Sequence, residues 1–90
     1  MVTRQVVVAT PRGLEEEPAG RFCTSARAQP ARVTVVAADG RSADARSVLG
    51  VVELGIGEGH EVILTADDGD AGAQISVDTL AELLGSYAEE

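Results

Sequence analysis

Aromatic residues are almost missing from this chain: Phe22 and Tyr87 are the only two in 90 residues, and there is no tryptophan. Proteins that bind single-stranded nucleic acid stack its bases on aromatic side chains, so this composition argues against such a platform. The net charge of −8 also opposes contact with a phosphate backbone. We therefore expect no nucleic acid among the partners, and a core built from Val, Leu, Ile and Ala.

Cysteine and long apolar runs are also scarce. The single cysteine, Cys23, permits no internal disulfide. No apolar stretch approaches the roughly 20 residues of a membrane helix, and the run 6–9 is too short for the apolar part of a signal peptide. These absences predict a cytoplasmic protein that does not bind membranes. The length of 90 residues and the hydrophobic content of 44% predict a single domain, 1–90, with one modest core.

Hydrophobic periodicity and turn residues divide the chain into four strands and three helices. The strands are predicted over residues 2–9, 32–38 and 41–45 and around Val62, Leu64 and Ala66, with Asp39-Gly40 as a hairpin turn. The helices are predicted to begin near Pro18, at Val48 and at Asp70, and the second ends at residue 53. The stripes that we expect to be buried are Ala19, Phe22, Cys23 and Ala26 on the first helix and Ala73, Val77, Leu80 and Leu84 on the last. The order β-α-β-β-α-β-α predicts an α+β fold, with a four-stranded antiparallel sheet covered on one face by three helices.

Two segments carry a resemblance to a known family. Gly13, Leu14, Pro18 and Ala19 form the pattern GL…PA, and residues 46–62 read RSVLGVVELGIGEGHEV. In these segments the chain resembles HPr, the histidine-containing phosphocarrier of the bacterial sugar phosphotransferase system, and the resemblance extends over nearly the whole chain. It implies an HPr-like open-faced β-sandwich. It also implies that a histidine directly after Gly-Leu accepts a phosphoryl group from Enzyme I, and that an arginine two residues further on helps to hold this group over the N-terminus of the first helix.

Both of those positions hold glutamate here, Glu15 for the histidine and Glu17 for the arginine. A carboxylate is a weaker nucleophile than imidazole. The run Glu15 to Glu17 would also repel a phosphoryl dianion by about 1 kcal/mol per charge pair at 4 Å even in water, which Arg12 and Arg21 offset only in part. We therefore expect no phosphohistidine relay, no catalytic residue, no cofactor and no enzyme activity.

The three glutamates have several interpretations that the sequence leaves open. Acidic residues in a first turn stabilise a helix by about 0.3–1 kcal/mol each. Glu15 would also place a permanent negative charge where the family carries its phosphoryl group. Its carboxylate could instead be joined covalently to a small molecule, or the charge could keep Enzyme I away. An engineered loop in an ordinary phosphocarrier would leave the same pattern.

Ser47 stands at the position of the family's regulatory serine, which a dedicated kinase phosphorylates in Gram-positive bacteria. Arg46 precedes it and could pair with a phosphate there, although a plain N-cap serine, worth about 1 kcal/mol, would explain Ser47 as well. The catabolite-repression HPr also lacks the histidine and keeps this serine, so the chain is similar to it.

The resemblance also implies a docking surface, by which HPr binds its partners. The docking surface comprises Gly20, Thr24 and Arg27 of the first helix and Val48, Leu49 and Val52 of the second. The sequence thus predicts a regulatory or protein-docking module, controlled by phosphorylation of Ser47, whose partner is a transcriptional regulator, a kinase or a pathway enzyme. Two alternatives stay open: a small-molecule carrier of a biosynthetic pathway, with attachment at Glu15 or Ser47, and a phosphocarrier of the sugar phosphotransferase system, native or with an engineered loop.

The remaining chemically versatile residues predict no site. His60 lies in a glycine-rich run before the fourth strand, where we expect a solvated turn residue. Asp67, Asp68 and Asp70 lack the full ligand pattern of a calcium loop. We therefore expect no bound metal.

Overall fold

A computed structural model describes residues 1–9, 13–14 and 16–86 and shows the predicted order of strands and helices. The strands are β1 (Val2–Val7), β2 (Thr34–Ala37), β3 (Ser42–Asp44) and β4 (Glu61–Ala66). The helices are α1 (Glu16–Arg27), α2 (Val48–Glu53) and α3 (Ala73–Ser86). The bounds predicted for α2 are therefore confirmed.

The four strands form one antiparallel sheet in the order β1-β4-β2-β3. Along β4, Val62, Leu64 and Ala66 are buried, whereas Glu61 before them and Ile63 between the first two are exposed. This alternation is typical of a sheet with one face on the core and the other in solvent. Helix α3 packs on β1 and β4, α1 packs against α2 and α3, and α2 contacts β3. The α+β open-faced sandwich predicted from the sequence is thus confirmed.

The core lies between the helices and the covered face of the sheet, and among the described residues Phe22 is its single aromatic side chain. The predicted stripes of α1 and α3 are both buried in it. Small and branched aliphatic side chains supply the rest of the core, as the composition predicts. Among the described helices, none combines the length and hydrophobicity needed to cross a membrane.

Several predicted boundaries were wrong because the ends of helices and strands depend on hydrogen bonds and backbone angles that the sequence pattern does not show. Strand β1 ends at Val7 rather than residue 9, since the Val8 N–H donates to the His60 carbonyl and the Ala9 N–H to the Leu84 carbonyl, each at 2.9 Å. Helix α3 begins at Ala73 rather than Asp70, because Gly72 has a φ of +78° that a right-handed helix cannot contain. Strands β2 and β3 are likewise shorter than predicted.

Arg41, in the hairpin between β2 and β3, fixes the C-terminal end of α2. Its guanidinium donates to the carbonyl oxygens of Glu53 at 3.3 Å and Leu54 at 2.9 Å. The last carbonyls of a helix lack partners within it, so a cation there satisfies both hydrogen bonding and the helix dipole. Arg41 also donates its backbone N–H and its Nε–H to the Asp39 carboxylate, and these bonds hold the pKa of Asp39 below its usual value. The hairpin is thereby tied to α2, which carries half of the docking surface.

Candidate functional site

The first turn of α1 is where the resemblance places the phosphoryl group. The helix begins at Glu16, Glu17 is exposed, and Pro18 occupies a first-turn position that needs no N–H donor. Glu15 and Arg12 lie outside the described residues, so what the sequence predicts for them stays a prediction. A carboxylate such as that of Glu17 is favoured at this end of a helix by the free N–H groups of the first turn.

The entry into α1 is fixed by the loop between α2 and β4, residues 54–60, which we call the α2–β4 loop. The Leu14 N–H donates to the Ile56 carbonyl at 2.9 Å, and the Leu14 side chain is 1% exposed. Gly13 has a φ of +64°, and a Cβ there would lie 2.5 Å from the Gly57 Cα and closer still to the Ile56 oxygen. Only glycine allows this backbone conformation and this approach together.

Ser47 is the N-cap of α2. Its backbone is extended, with φ −99° and ψ 107°, and its hydroxyl oxygen accepts the Gly50 N–H at 3.1 Å. Ser47 is exposed, so its hydroxyl lies at the molecular surface. The N-cap role predicted from the sequence is therefore present, and the side chain is also accessible to a modifying enzyme.

Arg46 and Arg27 tie the start of α2 to the end of α1. An Nη of Arg27 donates to the Arg46 carbonyl at 3.1 Å, and an Nη of Arg46 donates to the Gln29 carbonyl at 3.4 Å. The Arg46 Nε is buried and has no hydrogen-bond partner among the described residues. The guanidinium of Arg46 is thus directed to the segment after α1, and a phosphate on Ser47 would have to compete with the Gln29 carbonyl for it.

The six residues predicted for the docking surface lie on two helices that pack against each other. Leu49 is 69% exposed, an unusual state for a large aliphatic side chain, while Val48 and Val52 are half-buried and also contact the core. Thr24 and Arg27 are exposed on α1, and Gly20 leaves open space because nothing lies within 4 Å of a Cβ built there. The predicted docking surface therefore has one exposed apolar side chain, Leu49, beside the polar residues Thr24 and Arg27 of α1.

The other residues singled out from the sequence form no reactive site. Cys23 is fully buried, and burial raises the pKa of its thiol. Asp68 pairs with the N-terminal amine and Asp67 accepts the Gly69 N–H. Within the described part of the chain no group of three or more potential metal ligands is close enough to hold an ion.

Two residues with structural roles at the site could not be found from the sequence. Arg41 caps α2 from a position 12 residues away, and the His60 Nδ1 accepts the Gly57 N–H at 2.9 Å. His60 is exposed in the turn before β4, as predicted, but its side chain also holds the α2–β4 loop. A glycine three residues before a histidine in a turn is the only local signal, and it is a weak one.

Comparison with known proteins identifies the family of this fold. The family model described as "PTS HPr component phosphorylation site" matches residues 2–86. This chain belongs to the HPr family. The phosphocarrier protein HPr of Streptomyces coelicolor is 37% identical over 90 residues, which are 100% of this chain and 95% of that protein. The HPr-like protein Crh of Halalkalibacterium halodurans is 31% identical over 70 residues, 78% of this chain and 82% of that one.

Solved HPr structures agree with this assignment. HPr-C-His from Thermoanaerobacter tengcongensis has a TM-score of 0.87 at 27% identity, and the match covers 100% of this chain and 98% of that chain. The resemblance to HPr drawn from the two sequence segments is therefore confirmed. The chain differs from a histidine phosphocarrier in that no histidine follows Gly13-Leu14. Its only histidine is His60, in the turn before β4.

Replacing Gly13 by alanine should destabilise the protein far more than the same change at Gly20. Gly13→Ala forces a side chain into a positive-φ position against backbone atoms, and we expect a loss of about 2 kcal/mol or more in the free energy of unfolding. Gly20→Ala adds a methyl group to open space inside α1 and should be neutral or stabilising by up to about 1 kcal/mol. Urea unfolding followed by circular dichroism measures both, and equal effects would show that the Gly13 contact does not constrain the fold.

Proposed function

We propose that this HPr-family protein is a regulatory docking module that has lost the phosphohistidine relay and is not an enzyme. It would act in the cytoplasm on a protein partner: a transcriptional regulator, a kinase or a pathway enzyme. The observation that carries the proposal is the combination of an exposed apolar residue, Leu49, with an acidic first turn of α1 in place of the family's histidine and arginine.

The chemistry of the first turn opposes a relay. In the family a neutral imidazole receives the phosphoryl group and an arginine stabilises it. Here the corresponding positions are Glu15 and Glu17, and Glu17 is exposed at the start of α1. A carboxylate repels the phosphoryl dianion and attacks it less readily than an imidazole does.

The docking surface supports binding without a relay. A partner that covers an exposed apolar side chain gains the free energy of removing its surface from water, and Leu49, which is 69% exposed, offers such a surface. The acidic first turn adds a charge that would favour a partner with basic residues facing Glu17. A partner that recognises the phosphorylated form of an HPr could find a similar negative charge here at all times.

Ser47 offers a means of control at the edge of the same surface. It is exposed, it caps α2, and Leu49 follows it by two residues. A phosphate on Ser47 would change the charge beside Leu49 by about −1.5 to −2 at neutral pH, which alters complementarity with any partner. Similarity to an HPr-like protein Crh supports this assignment.

The absence of a relay is tested by incubating the protein with phosphoenolpyruvate and Enzyme I. We expect no phosphoryl incorporation into the unaltered chain. The double variant Glu15→His, Glu17→Arg should accept a phosphoryl group, because the fold around Gly13 and Leu14 already matches that of a phosphocarrier. A hydroxylamine-labile phosphoryl group on the unaltered protein would show an acyl phosphate on a carboxylate and would contradict the proposal.

The docking surface is tested by two charge substitutions at equally exposed apolar residues. Leu49 is 69% exposed and Ile75, on α3 outside the docking surface, is 66% exposed. Leu49→Glu should weaken capture of the native partner by about 2 kcal/mol or more, whereas Ile75→Glu should leave it unchanged. The pair is cleaner than a change at Val48, which also contacts the core. Equal affinities of the two variants in isothermal titration with the captured partner would refute this surface.

Control through Ser47 is tested by the intact mass of the protein isolated from its native host, with fragmentation to locate any modification. We expect a fraction of molecules with one phosphoryl group on Ser47, and none in a Ser47→Ala variant. A larger adduct on Glu15 would instead identify a biosynthetic carrier. A bare chain under all growth conditions would remove phosphorylation from the proposal while leaving docking intact.

A further inference from the structure

The imidazole of His60 holds the turn that it belongs to. Its Nδ1 accepts the Gly57 N–H at 2.9 Å, and the His60 N–H donates to the Gly57 carbonyl at 3.1 Å. The ring also covers the open side of Gly57, because a Cβ built on Gly57 would lie 3.4 to 3.7 Å from three ring atoms. Gly57 is therefore held by both the backbone and the side chain of His60.

The backbone of His60 is itself anchored to the end of β1. The Val8 N–H donates to the His60 carbonyl at 2.9 Å, and the Gly59 N–H donates to the Val8 carbonyl at 2.7 Å. The side chain thus acts on Gly57 from a fixed position at the edge of the sheet.

Gly57 in turn lies against the residues that lead into α1. Its Cα is among the atoms that would collide with a Cβ on Gly13, and the neighbouring Ile56 carbonyl accepts the Leu14 N–H at 2.9 Å. A continuous path of contacts therefore runs from the His60 ring through Gly57 and Ile56 to Leu14. It connects a titratable side chain to the acidic first turn of α1.

Protonation changes what this imidazole can do. A neutral imidazole has one nitrogen that accepts and one that donates, so the bond from Gly57 requires the tautomer with its proton on Nε2. An imidazolium carries protons on both nitrogens and cannot accept the Gly57 N–H. Protonation of the ring therefore breaks its contact with the Gly57 N–H.

Charged side chains of both signs lie around His60. Beside the ring, a cleft is lined by Asp39 and Arg41 of the hairpin and by Glu61 of β4, and Glu58 lies in the turn itself. The Asp39 carboxylate is paired with Arg41 at 2.8 Å. The other acidic side chains of this cleft and turn are Glu61 and Glu58. Val8 of the adjoining segment and the cleft residues Leu54 to Ile56 at the end of α2 contribute no charge.

We propose that His60 is a proton-controlled positioning residue: its neutral ring holds the α2–β4 loop against the start of α1, and its protonation releases that loop. The effect is local, because the stripes of α1 and α3 and the sheet do not depend on the ring. It holds whether or not the protein docks a partner, so it goes beyond the proposed function and does not depend on it.

The test follows the native protein by nuclear magnetic resonance between about pH 5 and pH 8, the range in which histidine titrates. We expect the neutral ring to carry its proton on Nε2, and the amide protons of Gly57 and Leu14 to shift with the midpoint of the His60 ring. The protection of the Leu14 amide against hydrogen exchange should fall about fivefold on protonation, the factor expected for one lost hydrogen bond. The amides of Ala45 and Ser76, which bond to Val33 and Gly72, should keep theirs.

Two variants separate the charge from the contact. His60→Asn offers an uncharged acceptor in place of Nδ1, so protection of Leu14 should stay high and independent of pH. His60→Ala removes the acceptor, so protection should be low at every pH, while Ala45 and Ser76 report that the fold is intact. A neutral ring with its proton on Nδ1, a Leu14 amide that ignores the titration of His60, or a pH dependence that persists in His60→Asn would each overturn the proposal.

Discussion

The close contact between two backbone segments, Gly13-Leu14 and Ile56-Gly57, is the constraint on which the rest of the site depends. It joins the entry of α1 to the α2–β4 loop through one hydrogen bond and through an approach that leaves no room for a Cβ on Gly13. The two segments are far from each other in the chain, and neither lies in a helix or strand. The contact therefore helps to fix where the first turn of α1 lies relative to the end of α2.

Around this contact, polar ties between loops act in addition to the buried core. Arg41 joins the hairpin to the end of α2, Arg27 joins α1 to the start of α2, and His60 joins the sheet edge to Gly57. Among the described residues the core is aliphatic apart from Phe22, and it buries one stripe of α1 and one of α3. The polar ties help to orient the helices, and they lie near the two ends of α2.

The sequence predicted what depends on local periodicity and missed what depends on distant partners. The stripes of α1 and α3 and the bounds of α2 follow from spacing alone, because burial of an apolar face is a local requirement of an amphipathic helix. The early end of β1 follows from bonds of Val8 and Ala9 to the turn before β4 and to α3, which no local pattern reveals. The same holds for Arg41, whose partners at the end of α2 are Glu53 and Leu54. The bond of His60 to Gly57 is local, but a glycine three residues before a histidine is a weak signal. For the site, the N-cap role predicted for Ser47 is present. The docking surface stays a prediction, and Glu15 lies outside the described residues.

Positions 13 and 17 of the GL…PA segment differ in how freely their residues can change over evolutionary time. Position 13 can hold only glycine without moving the backbone of the α2–β4 loop, so any other residue there destabilises the fold. Position 17 is exposed, and a side chain there can reverse its charge while the core stays as it is. Selection for stability therefore preserves the scaffold around the first turn but does not preserve its chemistry. An HPr-family protein that does not transfer phosphoryl groups can acquire another function through substitutions at its surface, while it keeps the family's glycine at position 13.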